Sequence, residues 1–222
     1  TIIYEDSVQY QSVFAGIQEF ELNDGSVDLR KQLVTLDKIR LAKSDVKYSS
    51  VNSSSKTKPK NAEPAVVVAN DWQVSAKAVE LADNSFGYDV TNMPVLKNSF
   101  DPNHIYFKYF NLEAKDIRYT SANTKAILLK FNAIDKNGFI ITKFSTDFSM
   151  DHYSITAKKL KVKTTNSSID GEVNLRFASL QSLSESLPNL VLHVNLKNAS
   201  FKNADILYFN PQLIKQDFTD LF

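Results

Sequence analysis

The chain has 222 residues, with 26 Lys and Arg against 25 Asp and Glu, and 43% of its residues are hydrophobic. A formal net charge of +1 argues against a dedicated nucleic-acid-binding protein, because such affinity needs clustered basic residues facing phosphates. The sequence contains no cysteine, which excludes disulfides, thiol catalysis and cysteine metal sites. No apolar run approaches the roughly 18 residues of a membrane-spanning helix. The chain begins at Thr1 with neither a methionine nor a signal-like segment, so we expect an internal fragment of a longer protein.

A short apolar pattern recurs along the chain and predicts a repeated β unit. Each copy has two apolar positions one residue apart, a four-residue spacer, and two further such positions. The copies are Phe20-Leu22-Val27-Leu29, Ile39-Leu41-Val46-Tyr48, Val79-Leu81-Phe86-Tyr88, Phe110-Leu112-Ile117-Tyr119 and, more loosely, Val194-Leu196-Phe201-Asn203. The second and third apolar positions of a copy are five residues apart. In one flat strand this odd separation would place the second pair on the opposite face from the first pair. The pattern therefore predicts a turn or β-bulge in each spacer.

Residues 50–63 interrupt this pattern. They are rich in Asn, Ser and Lys and have few apolar side chains to anchor them, which predicts a flexible insertion within the β array. Residues 94–103 are predicted to form a second irregular connection.

The clearest strands are predicted within residues 104–177. In segments 125–133, 139–150 and 169–177, apolar and polar residues alternate, and turn-forming residues separate the segments. The alternation predicts an antiparallel meander with one apolar face. Its candidate functional residues are Ile127, Leu129, Phe131, Ile140, Phe144, Phe148, Val173 and Leu175.

An apolar face of this size needs a cover. Roughly a dozen side chains exposing ~80–100 Å² each would present ~1,000 Å², worth on the order of 25 kcal/mol when buried. Monomers rarely leave such a patch exposed. The sheet must curl on itself, be covered by helices, or hold an apolar ligand.

Two short helices are predicted as possible covers. Residues 179–187 place three leucines on one side before Pro188. Asn210 and Pro211 form an N-cap and first-turn pair for a helix over residues 211–221, with Leu213, Ile214, Phe218 and Leu221 as its apolar stripe. Either helix could plug an end of a groove, and either could be an ordinary connection.

Catalytic motifs are absent from the sequence. His104, His152 and His193 lack metal-ligand spacing and are predicted to be surface or turn histidines. No nucleophile elbow, phosphate loop or dinucleotide fingerprint is present, so no enzyme activity, cofactor or metal is predicted. The dense lysine cluster at residues 158–163 is predicted to be a solvated strand face, with contact to anionic head groups as the alternative.

Several segments resemble one protein family. Residues 100–105 and 110–119, the pair Gly138-Phe139, and residues 158–163 and 166–173 are similar to the periplasmic region of TamB-like proteins in the AsmA-like group, in their Bacteroidota versions. The resemblance implies a U-shaped β-taco with an apolar inner groove, one domain spanning residues 1–222. It also implies a periplasmic location, with the full-length protein anchored in the inner membrane.

The same resemblance implies a function. It points to a bridge that carries phospholipid acyl chains toward the outer membrane, with an outer-membrane β-barrel as a partner of the full-length protein. The alternatives are a scaffold for outer-membrane protein assembly, whose groove holds its own helices or a client β-strand, and a secreted β-rich structural module.

Overall fold

The structure, a computed structural model, describes residues 1–6, 10–52, 72–179 and 190–215. These residues form twelve β-strands, one α-helix and one 3-10 helix. The strands are β1 (Ile2–Asp6), β2 (Gln11–Gly16), β3 (Glu19–Asp28), β4 (Leu33–Ala42), β5 (Asp45–Ser50), β6 (Gln73–Val90), β7 (His104–Tyr119), β8 (Asn123–Asp135), β9 (Ile140–Asp151), β10 (Ser154–Thr164), β11 (Ser168–Arg176) and β12 (Val191–Ser200). The helices are α1 (Asn203–Phe209) and the 3-10 helix Pro211–Lys215. The prediction of a mainly β protein is confirmed.

All twelve strands belong to one sheet with the order β1-β2-β5-β6-β7-β8-β9-β10-β11-β12. Strands β3 and β4 stand beside this path, with β3 paired to β4 and β4 paired to β6. β4 pairs with the first half of β6 and β5 pairs with the second half, so β4 and β5 lie end to end along one side of β6. In the described part of the chain, no helix is long and apolar enough to cross a membrane.

The prediction of an antiparallel sheet is wrong at β6, since both β4 and β5 run parallel to it. Leu41 lies opposite Leu81, and Tyr48 lies opposite Tyr88. The backbone N–H of Ser44 donates a 2.9 Å hydrogen bond to the side-chain oxygen of Asn84, 40 residues further along. The second and third copies of the apolar pattern therefore lie side by side in register. A parallel pair needs a long crossover, and residues 51–72 supply its length.

The predicted irregularity in the spacers is confirmed for the first four copies. Asp24, Lys43, Asp83 and Asp116 each lie in a spacer and have φ between 45° and 53°. The pairing of β6 with β7 also shifts register around Asn84. A residue in this left-handed region bends the strand and resets its alternation, so both halves of a copy face the same side.

The sheet consequently has two chemically different faces. One row of directly opposed residues crosses nine strands: Phe20, Leu41, Leu81, Leu112, Phe131, Phe144, Val162, Ile169 and Ala199. We call the side that carries this row the apolar face. The opposite side carries the neighbouring row of Glu21, Arg40, Glu80, Glu113 and Lys130 and is called the polar face.

Ion pairs cover part of the polar face. The guanidinium of Arg40 reaches Glu19 at 3.0 Å and Glu80 at 3.2 Å, and Lys38 reaches Glu80 at 2.9 Å. Pairs this exposed contribute little to stability, on the order of 0–1 kcal/mol each. They do make the polar face a hydrated surface, which leaves burial of apolar area to the other side.

Large buried side chains are few among the described residues. The buried apolar residues include five alanines, and Leu160 and Phe177 are the largest of them. The large side chains of the apolar face are mostly half-buried, sheltered by neighbours on adjacent strands rather than by a second layer. The described elements thus form a single sheet with its apolar side partly open.

The helix predictions have mixed outcomes. Helix α1 covers residues that were not predicted to be helical. Asn210 ends it by donating its N–H to the carbonyl of Ile206 at 3.0 Å, and its own carbonyl accepts the Leu213 N–H at 3.2 Å at the start of the next helix. Only the 3-10 helix follows Pro211 in the described part. The rest of the predicted helix 211–221, nearly all of the predicted helix 179–187, and residues 53–63 of the predicted insertion lie outside the described residues.

Candidate functional site

An aromatic ladder forms the centre of the apolar face. The ring centroids of Phe107 and Phe110 are 6.4 Å apart, those of Phe110 and Phe131 5.1 Å, and those of Phe131 and Phe144 6.2 Å. The last two pairs meet edge to face, an arrangement that stabilises beyond simple area burial. Three adjacent strands, β7, β8 and β9, thus share one continuous aromatic surface.

Five of the eight predicted residues share this apolar face. Phe131 and Phe144 lie opposite each other, and Phe148 follows Phe144 by four residues in an uninterrupted part of β9. Ala157 of β10 lies between Phe148 and Val173. Leu175 follows Val173 on the same side of β11. The sequence pattern therefore placed Phe144 and Phe148 of β9 and Val173 and Leu175 of β11 on one face, as the structure has them.

Ile127 and Leu129 do not share the face as predicted. Glu113 lies opposite Lys130, yet the next residue, Ala114, lies opposite Leu128, which leaves Leu129 as an extra residue in a β-bulge. Leu129 is 46% exposed. The bulge reverses the alternation, and Ile127 faces the polar side.

The surroundings of Ile127 agree with this reversal. Its direct neighbours on the adjacent strands are Lys115 and Asp147. Leu128, opposite Thr146, takes the position on the apolar face that strict alternation gave to Leu129, and Ala126, opposite Phe148, takes the one it gave to Ile127.

Ile140 is reversed by a second bulge, this one in β9. Phe144 pairs with Phe131, but the next matched pair is Ile141 with Ala133, so one residue of β9 is extra. The hydroxyl of Thr142 in this bulge donates to the carbonyl of Lys163 at 2.9 Å. Ile141 therefore joins the apolar face, and Ile140 lies opposite Ile134 on the polar side.

Several residues of the apolar face were absent from the predicted set. Leu41, Leu81, Leu112 and Val162 all belong to its central row. Three of them are part of the recurring apolar pattern, so the signal was present in the sequence. It was not connected to the meander because pairing across β4, β6 and β7 is not visible in a single strand.

Polar side chains mark one end of the apolar face. Asp135 follows Phe131 and Ala133 on the same side of β8. Ile141 lies opposite both Ala133 and Thr164, which places the side chain of Thr164 on this face as well. Ala133, Asp135 and Thr164 are all buried, so something covers the face here.

Helix α1 provides that cover. The hydroxyl of Thr164 donates to the Asp205 carboxylate at 2.5 Å, and the amide of Asn166 donates to it at 2.9 Å. The Tyr208 hydroxyl donates to the Asp135 carboxylate at 2.5 Å. Helix α1 is thus fixed across the turn end of β8 and β10 and closes this end of the apolar face.

Burial changes the ionisation of two groups in this contact. It raises the pKa of Tyr208, and the hydrogen bond to Asp135 raises it further. For Asp205 burial acts to raise the pKa, but hydrogen bonds from Thr164, Asn166 and Ser167 outweigh it, and the net pKa lies below the usual value.

A second buried polar cluster holds the connection between β6 and β7. Asp101 is the most buried large side chain of the described residues; its carboxylate accepts the Leu96 N–H at 2.9 Å and contacts His104 Nδ1 at 3.0 Å and Lys136 Nζ at 3.2 Å. Burial acts to raise the pKa of Asp101, but these hydrogen bonds lower it overall. The prediction of a surface or turn position is wrong for His104, which is buried, and confirmed for the exposed His152 and His193.

The remaining charged features are spread over the polar side. Lys159 pairs with Asp147 at 2.8 Å and Lys161 with Asp170 at 3.5 Å, as expected for a solvated strand face. A cleft of about 740 Å³ lies between Phe14 and Tyr106 on the polar side, away from the aromatic ladder. Within the described ranges no group of three His, Asp or Glu side chains is placed to hold a metal ion.

Comparison with known proteins adds no assignment: no protein-family model matches the chain, and no curated protein matches it.

Proposed function

We propose that the apolar face holds acyl chains and that the chain is a section of a periplasmic bridge that moves phospholipid toward the outer membrane. The observation that carries this proposal is the unbroken row of apolar residues across nine strands. With strands about 4.8 Å apart, the row extends roughly 38 Å along the sheet. One acyl chain fills half of a bilayer core of about 30 Å, so the row could hold two chains in succession.

The energetics favour apolar recognition on this face. Each buried methylene contributes about 0.8 kcal/mol, so a few methylenes outweigh a single head-group contact of about 1 kcal/mol. The polar groups near the face, Asp135 and Thr164, are already engaged by Tyr208 and Asp205. No polar side chain is therefore expected to be essential for binding.

A curled sheet is part of the same proposal. A β-bulge bends its strand and increases the local twist, and the spacers place such irregularities at Asp24, Lys43, Asp83 and Asp116. Repeated over adjacent strands, these bends would turn the apolar face inward as the wall of a U-shaped groove. Helix α1 would then form the closed end of that groove.

A second candidate function is a scaffold that pairs with a client β-strand. The observation that favours it is the open edge of the sheet, because β3 and β12 each pair with a single strand in the described part of the chain.

The test places a charge in the aromatic ladder by Phe131→Glu or Phe144→Asp. Capture of a photo-crosslinkable phospholipid and the thermal midpoint are measured on the same variants. If the face is a lipid-filled or wet groove, the new carboxylate stays hydrated, so lipid capture falls while the midpoint barely changes. Ile127→Glu is the matched control, because Ile127 lies on the polar face and its replacement should leave capture intact.

A scaffold whose groove is filled by its own helices or by a client β-strand predicts the opposite result. A sealed interior would have to bury an unpaired charge, and both ladder variants would unfold. Unfolding of both, with no lipid captured by the parent protein, would overturn the acyl-chain proposal.

A further inference from the structure

The outer edge of β3 is unusually open. β3 pairs with β4 on one side, and no described strand lies on its other side. Its eight central residues are exposed, including Phe20 at 59% and Val27 at 59%. The backbone N–H and C=O groups on the outer side of this ten-residue strand, which come from about every second residue, thus face no described strand.

Open edges usually carry protection, and that of β3 is acidic. Natural edge strands are short or bear charged side chains, Pro or bulges that discourage pairing with another chain. β1 has only five residues, and β12 contains Lys197. β3 is ten residues long without Lys, Arg or Pro, and its protection consists of the irregular backbone at Asp24 and four carboxylates. Carboxylates repel an acidic strand but favour a basic one.

The open side of β3 continues an existing row of the sheet. β2 and β3 run in the same direction, one after the other, separated by Ile17 and Gln18. β1 pairs antiparallel with the outer side of β2, from Asp6 opposite Gln11 to Ile2 opposite Ala15. A strand beside β3 would therefore lie in line with β1, and one that runs in the direction of β1 would be antiparallel to β3.

The side chains of β3 specify the partner. Glu19, Glu21, Asp24 and Asp28 give the strand four carboxylates and no basic residue. Phe20 and Leu22 extend the apolar face to the edge. Opposite-charge pairs and apolar pairs across strands each stabilise a sheet, whereas like charges destabilise it. A matching strand must be basic on one face and apolar on the other.

β4 shows such a strand already bound to β3. It places Arg40 opposite Glu21, Leu41 opposite Phe20 and Ile39 opposite Leu22. We propose that the outer edge of β3 is a docking site for an extended peptide segment of a partner protein, one that pairs antiparallel and alternates apolar with basic residues as β4 does. The site lies at the sheet edge and requires no ligand on the apolar face.

The probe is a synthetic peptide with the sequence of β4, residues 33–42, added to the whole chain. Hydrogen exchange of the β3 amides is followed by NMR. At a peptide concentration about ten times its Kd, the outward-facing amides between Glu19 and Asp28 should exchange about tenfold more slowly. The amides of β12, the other long edge, serve as the internal control and should not change.

Two altered peptides distinguish backbone strand pairing from nonspecific binding. A peptide N-methylated on its pairing edge keeps the side chains but cannot donate the backbone hydrogen bonds, so it should not protect β3. A peptide with Glu in place of Lys38 and Arg40 should bind about tenfold more weakly, because its charges now face those of β3. Glu21→Lys in the protein should recover part of the binding of this acidic peptide.

Three results would overturn the proposal. One is an absence of protection on β3 at saturating peptide, and another is equal protection by the N-methylated peptide. The third is sedimentation showing that the chain alone dimerises and that Glu21→Lys abolishes the dimer, which would assign the edge to a second copy.

Discussion

Tyr48 and Tyr88 stack with their ring centroids 5.8 Å apart and their planes at 8°. They occupy the same place in two copies of the apolar pattern and lie directly opposite each other on the parallel strands β5 and β6. The hydroxyl of Ser85 likewise donates to Asp45 at 2.7 Å across the same 40-residue offset. Both contacts join equivalent positions of two copies, so the second and third copies of the apolar pattern pair with each other across the parallel strands.

The stacked pair should be energetically coupled. In a double-mutant cycle with Tyr48→Ala and Tyr88→Ala, we expect the two losses of unfolding free energy to be non-additive by about 0.5–1.5 kcal/mol, because the ring contact is counted in both. Denaturant unfolding of the four proteins measures the coupling. Tyr48→Ala combined with Tyr153→Ala, whose ring is 66% exposed on a distant turn, is the additive control.

The bulge in β8 makes an unusual deletion tolerable. Removing Leu129 would join Leu128 to Lys130 and convert the bulge into regular pairing, with every other residue of β8 keeping its face and its partner. We expect a loss of unfolding free energy of only about 1 kcal/mol, measured by denaturant unfolding.

Deleting Ala126 in the same strand is the matched comparison. The slip would move Lys125 onto the apolar face and Thr124 off it, so we expect a loss several times larger. Equal losses for the two deletions would mean that the bulge has no role in setting the phase of β8.

Gly171 marks a close approach of two strands. A methyl group at its Cα would lie within 3.0 Å of the Cα of Leu196 and closer still to the carbonyl oxygen of Asn195. Gly171→Ala should therefore shift β12 and cost about 1–3 kcal/mol of unfolding free energy. Gly16→Ala meets only ordinary contacts near Phe14 and should cost much less; a similar loss at both positions would contradict the close approach.

The anchoring of α1 should depend on pH through Asp205. Its folded-state pKa lies below the usual value of 3.8, so its ionised form contributes stability that is present above pH 4 and is lost as pH falls through the folded pKa. Asp205→Asn should lower the thermal midpoint near pH 7, and the difference from the parent should shrink below pH 4. A difference in thermal midpoint that does not change with pH would show that the charge of Asp205 does not contribute to stability.

The sequence by itself determined the two-sided character of the sheet and the need for irregular backbone in the spacers. Both follow from local rules: side chains alternate along a strand, and an odd spacing between apolar halves requires a reset. These rules placed Phe131, Phe144, Phe148, Val173 and Leu175 on one face, and they indicated irregular backbone near Asp24, Lys43, Asp83 and Asp116.

Only the tertiary structure decided where the alternation breaks inside a strand that reads as regular. Leu129 and Thr142 become bulges because of the registers of β7, β8 and β9 with one another, and this moved Ile127 and Ile140 to the polar side. Two further features depend on residues 30 or more positions apart. One is the parallel pairing of β4 with β6, and the other is the hydrogen bonding of α1 to Thr164 and Asp135. Such long-range contacts depend on the free energy of the whole sheet, including the packing of each strand against its neighbours. The residue pattern within one strand does not give that free energy.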